Sequence, residues 1–83
     1  MDKIEEEIQR AFEHYGHFNS THEVYGVLME EMQEFFEWVK TNNYGEGYLE
    51  GKKKEGMINE LTQIAAIAQR AIKELKKNQI KWV

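Results

Sequence analysis

The chain contains neither cysteine nor proline. Without cysteine there is no disulfide to staple a small fold, no thiolate nucleophile and none of the commonest zinc ligand, a usage that suits a reducing compartment. Without proline, chain breaks fall to glycine. Long hydrophobic runs are also missing, since nothing approaches the roughly eighteen apolar residues of a membrane span. The opening Met1-Asp2-Lys3-Ile4-Glu5-Glu6-Glu7 is the reverse of a signal peptide's basic start. The expected setting is cytoplasmic, with no membrane partner.

What is present is short. The 83 residues make one domain, 1–83, of a size that leaves much apolar surface uncovered. With disulfides excluded, self-association is the readiest way to complete a core. The net charge of −4 hides a split: residues 1–50 hold twelve acids and three bases, residues 51–83 three acids and eight bases. An acidic half beside a basic half can seat a metal next to a phosphate, or two solvated faces can attract at a subunit contact. The acidic excess argues against nucleic acid as a partner, although the basic C-terminal part leaves that reading testable through its salt dependence.

Five of the six glycines lie around 16 and 45–56 and divide the sequence into three helical stretches, near 2–14, 20–40 and 57–77. In the first, Ile4, Ile8, Ala11, Phe12 and Tyr15 form one apolar stripe, and Gly16 can end it in a left-handed conformation. Ser20 with Glu23 matches a capping box for the second. The third is rich in alanine and leucine, with Lys73, Lys76 and Lys77 at its C-terminal end. Between the last two, the turn-forming residues 41–47 and the Lys52-Lys53-Lys54-Glu55-Gly56 segment read as a flexible loop. The fold class is all-α.

On the second helix, counting roughly 100° per residue from Val24, the apolar residues Val24, Val27, Leu28, Met32, Phe35, Trp38 and Val39 share one arc. Glu31 falls inside that arc, at roughly 340°, and Glu34 on its edge at roughly 280°. On the third helix Leu61, Ile64, Ala65, Ala68, Ala71, Ile72 and Leu75 share a face. Glu60 stands at its margin, near the line of Ile67 and Ala71, with Gln63 one turn on. A carboxylate among valines and phenylalanines costs several kcal/mol or takes up a proton unless it has a partner. Glu31, Glu34, Glu60 and Gln63 are all oxygen donors, which suit a hard cation such as magnesium, with manganese as a substitute, better than zinc or copper. The bland alternative is that Glu31 bends to solvent or pairs with a lysine across a subunit contact, because Glu-x-x-Glu is common in helices.

These residues resemble the MazG-like all-α nucleoside triphosphate pyrophosphatases, whose pattern is Glu-Glu-x-x-Glu on one helix and Glu-x-x-Asp on the next. Glu30-Glu31-Met32-Gln33-Glu34 carries the first half and Glu60-Leu61-Thr62-Gln63 the second, and the likeness spans about residues 18–75. Gln63 stands where the pattern has aspartate, a weaker and neutral ligand. The resemblance implies a homodimer or homotetramer whose helices form four-helix bundles, and hydrolysis of a nucleoside triphosphate to monophosphate and pyrophosphate. It further implies magnesium on Glu31, Glu34 and Glu60, and Glu30 or Glu34 as the base that activates water. The alternative is an inactive self-association or protein-interaction module of the same fold, with Gln63 marking lost catalysis.

Lys52, Lys53 and Lys54 can clamp distal phosphates as a mobile lid, or simply be a solvated loop. Phe35, Phe36 and Trp38 can stack on a nucleobase, although Phe35 and Trp38 lie on the stripe that packs a core. His14, His17 and His22 share no face with Glu31, which disfavours a zinc site.

Overall fold

Alternating apolar and polar residues at helical spacing fold into three helices in the computed structural model, which describes residues 2–40 and 47–82. Helix α1 spans Lys3–Tyr15, α2 spans Thr21–Lys40 and α3 spans Gly47–Lys76. Asp2 caps α1 by accepting from the Glu5 N–H at 2.8 Å, and Gly16, at φ 73°, ends it. That positive φ favours a residue without a Cβ. Ser20 caps α2, its hydroxyl accepting from the Glu23 N–H at 3.2 Å. The Glu23 carboxylate does not return to Ser20 but takes the Asn19 N–H at 3.1 Å and the Asn19 amide at 2.9 Å.

The sequence pattern starts the third helix near Met57; it starts at Gly47. The loop expected across Lys52–Gly56 is therefore helical. Lysine, glutamate and leucine are good helix formers, and a glycine inside a helix costs only about 1 kcal/mol against alanine. Of the turn expected at 41–47, residues 41–46 lie outside the described residues and Gly47 begins α3. At its far end α3 closes on Asn78, φ 56°, with Gln79 N–H donating to the Glu74 carbonyl at 2.8 Å. This is a Schellman-type ending in which asparagine takes the left-handed position.

Helices α1 and α2 each pack on α3 and not on one another. α2 and α3 run antiparallel, as the Glu31–Gln63 and Trp38–Gly56 neighbours show. The core is thin: Phe18, Ala71 and Ile80, backed by Val24, Val27 and Ile67. Burying Phe18 and Ile80 contributes about 2 kcal/mol each. Beside them lies an ionic knot. Arg70 and Glu74 are 7% and 4% exposed and pair at 3.0 Å. Glu74 also accepts the Phe18 N–H at 2.8 Å, Arg70 donates to the Gly16 carbonyl, and its guanidinium lies 4.1 Å from the Phe18 ring centre. The link between α1 and α2 is thereby held to α3.

The apolar face read on α3 packs within the chain only in part, with Ile64, Ala65 and Ala68 half-buried. Ala71 is buried, but Leu61, Ile72 and Leu75 are exposed, and the inner face carries Gly56, Glu60, Gln63, Arg70 and Glu74 beside Ala66 and Ile67. Helix α2 divides similarly: Val24, Val27, Glu31, Phe35 and Trp38 are half-buried, whereas Tyr25, Met29, Met32, Phe36 and Val39 are exposed. No described helix is long and apolar enough to cross a membrane.

Candidate metal centre

Because α2 and α3 are antiparallel and Glu31 lies on the inner arc of α2, its carboxyl meets the inner face of α3 where Glu60 and Gln63 stand. Glu31, Glu34 and Glu60 each offer an oxygen, and these oxygens all lie within 4.8 Å of one another. Gln63 joins them, its amide nitrogen placed to donate to Glu31 Oε2 at 3.1 Å and Oε1 at 3.2 Å. Turned the other way, the same amide presents its carbonyl oxygen to the cluster. Among the described residues no lysine, arginine or histidine pairs with any of the three carboxylates. Glu60 Oε2 is buried with no hydrogen-bond partner.

Three carboxyls this close cannot all be ionised without a cation. Glu31 is pushed up to about 8, first by burial, then by its hydrogen bond with Glu60 and the charges of Glu34 and Glu60. Glu34 is also raised, first through its hydrogen bond with Glu60 and then through the Glu60 charge. An orphaned buried oxygen, a donor set made only of oxygens and unneutralised negative charge together fit a hard divalent cation.

The other candidate residues lie around this cluster. Glu30 is exposed on α2, one turn before Glu34, and its charge helps to raise that carboxyl. Trp38 is half-buried and lies against Gly56, so its indole packs α2 on α3. Lys53 projects from α3 to the Val39 carbonyl at 3.3 Å, and Lys54 is exposed. Both are on a helix rather than the mobile lid that the sequence pattern implies, two turns N-terminal to Glu60 in the case of Lys53. His17 lies 3.5 Å from Glu74, away from the acids; His14 and His22 are exposed. Sequence reasoning overlooked Phe18, Arg70, Glu74 and Ile80. Their only signal is an apolar residue flanked by polar neighbours, in the cases of Phe18 and Ile80, and an arginine four residues before a glutamate.

Comparison with protein families, curated proteins and solved structures finds none that matches the chain.

Proposed function

We propose that the protein is a magnesium-dependent nucleoside triphosphate pyrophosphohydrolase that works as a homodimer or homotetramer. The observation that carries the reading is the meeting of Glu31, Glu34 and Glu60 across two helices with no basic residue between them. Glu31, Glu34 and Glu60 would hold the ion, with the Gln63 carbonyl as a neutral fourth donor. Bound there, magnesium supplies charge neutralisation for the triphosphate and lowers the pKa of water. Glu30 or Glu34 accepts a proton from the water whose oxygen attacks the α-phosphorus. The new O–P bond replaces the bond to the bridging oxygen, and pyrophosphate leaves with that oxygen, giving the nucleoside monophosphate.

Self-association is supported by area. The chain exposes 6321 Å², against about 5200 Å² for a globular monomer of its mass. The excess is of the order of one partner's share of a standard interface, about 800 Å². No residue of α2 is buried, and the exposed stripes on α2 and α3 give two helices per chain to a four-helix bundle.

One observation favours the second reading, an inactive self-association module. With Glu31 protonated, the Gln63 amide closes the cluster without an ion. Incubation with a nucleotide panel and magnesium, assayed for pyrophosphate, separates the two. Turnover lost in Glu31→Gln, with a magnesium- or manganese-induced rise in Tm lost in Glu60→Gln, supports the hydrolase. No turnover above the Glu31→Gln control and no metal-induced shift leave the module.

A further inference from the structure

Helices α1 and α2 both lean on α3 and leave between themselves a cavity of about 510 Å³, within the range of small-molecule sites. Glu30, Glu31 and Gln63 stand in its wall, and the cations that share it are Arg10 and Arg70. Arg70 is buried and held in the knot by Glu74 and the Gly16 carbonyl. Arg10 belongs to α1, and its side chain is 59% exposed. An oxygen of Glu7 holds its guanidinium at Nε, 2.9 Å away, and at one Nη. A guanidinium carries five N–H groups in a fixed plane, so one carboxylate oxygen orients it without exhausting its donors.

Arg10 also borders a second space, a groove of about 340 Å³ between α1 and α3 that it shares with Lys3, Glu6, Glu7, Asn59 and Gln63. Glu7, Arg10 and Gln63 line both spaces, so cavity and groove adjoin at these three residues, beside the acid cluster that Gln63 joins. Lys3 has no ion-pair partner among the described residues. Seven residues before Arg10, it lies on the same face of α1. Glu6 and Glu7 balance the two cations, so the groove itself is close to neutral. An anion is drawn to it once a divalent ion has neutralised Glu31, Glu34 and Glu60, and a metal-bound phosphate chain supplies that arrangement.

We propose that this groove receives the distal phosphates of the nucleotide, with Arg10 and Lys3 as their contacts, so that the site takes nucleoside triphosphates in preference to diphosphates. The proposal rests on the hydrolase reading and adds to it the length of the phosphate chain. Arg10 meets phosphate oxygens through its planar fork, and Lys3 as a point charge. Lys53 and Lys54 line neither the cavity nor the groove, and Lys53 is turned to the Val39 carbonyl. Helix α1, which carries both contacts, lies outside the stretch 18–75 in which the family resemblance is found.

Inorganic triphosphate, a phosphate chain without a nucleoside, is the probe, titrated calorimetrically into the full chain. With magnesium the wild type should bind it roughly tenfold or more tightly than orthophosphate, and with chelator binding should be lost. The double variant Lys3→Gln, Arg10→Gln should bind it roughly tenfold or more weakly, the scale of lost charge-assisted bonds. Its magnesium-induced rise in Tm should persist, and an exposed pair such as Arg10–Glu7 contributes little to folding. Arg10→Lys should lose less affinity than Arg10→Gln. For each nucleotide turned over, kcat/KM for monophosphate formation should favour the triphosphate over the diphosphate, and the double variant should narrow that ratio through the KM of the triphosphate. Triphosphate affinity unchanged in the double variant, or no triphosphate binding by the wild type with magnesium, overturns the proposal and leaves the hydrolase to stand on its turnover. No pyrophosphate from any nucleotide overturns the hydrolase and with it the substrate role of the groove.

Discussion

The indole of Trp38 lies so close to the backbone of Gly56 that a Cβ at that position would overlap its ring atoms. The contact lets α2 and α3 approach near the cluster of Glu31, Glu34 and Glu60. Gly51, on the same helix, has nothing within 4 Å of its would-be Cβ. The two glycines should therefore respond oppositely to alanine. Gly51→Ala is expected to stabilise by about 1 kcal/mol through helix propensity, and Gly56→Ala to destabilise by about 1–3 kcal/mol through overpacking. Urea denaturation of both variants checks this, and a shift of the same sign in both would refute the packing role of Gly56.

The pair Arg70–Glu74 joins residues one helical turn apart, but Glu74 also accepts an N–H from Phe18 across the fold. Glu74→Ala leaves a buried guanidinium and a buried N–H without their acceptor. The expected cost is about 3–5 kcal/mol, a large part of the stability available to a domain of this size. Glu74→Gln retains an acceptor for Phe18 and should cost distinctly less. Equal Tm values for the two variants would mean that the Phe18 bond contributes nothing.

The residues that fix secondary structure were legible in the sequence: Gly16 at the end of α1, the Ser20 cap of α2, and the stripe that carries Glu31. The meeting of Glu31 with Glu60 followed from placing both near the inner arc of antiparallel helices. The extension of α3 to Gly47 was not legible, because two glycines and three lysines are weak signals that a packing contact such as Trp38–Gly56 outweighs. Nor was the inner face of α3. Hydrophobicity points to Leu61, Ile72 and Leu75, whereas within one chain the face toward α1 and α2 mixes Ala66, Ile67 and Ala71 with Glu60, Gln63, Arg70 and Glu74, polar residues satisfied by pairs that no helical wheel displays.

That outward apolar face leads to a third prediction. Ile72 is 52% exposed and Met32 56%, so neither contributes a core contact whose loss would unfold a single chain. If these stripes meet in a four-helix bundle, Ile72→Glu and Met32→Glu place charge in a dry interface and should each lower the sedimentation mass toward that of the 9.9 kDa chain. Far-UV circular dichroism should remain helical. Wild-type protein that already sediments as one chain at high concentration would remove the basis for the bundle.

The raised Glu31 carboxyl sets the pH behaviour of the metal-free protein. Its folded-state pKa, about 8, lies above that of an exposed glutamate, near 4.3. Between those values the folded chain therefore binds more protons than the unfolded one. Stability present below the unfolded value is accordingly lost as pH rises through about 8. Glu31→Gln mimics the protonated acid and removes this loss. In chelator at pH 8.5 the variant should melt higher than wild type by roughly 5 °C, the scale of a 1 kcal/mol change in a small domain, and at pH 5 the two should coincide. A divalent ion acts on the same charge from the opposite side, by making the ionised form of Glu31 the favoured one. Magnesium or manganese binding at pH 7 should consequently release protons, visible as a binding enthalpy that varies with the ionisation enthalpy of the buffer. The same titration of Glu31→Gln should release fewer. Melting curves of the two proteins that stay parallel from pH 5 to 9, with no buffer dependence of the metal enthalpy, would show that Glu31 is ionised throughout and that the cluster needs no ion to hold its charge.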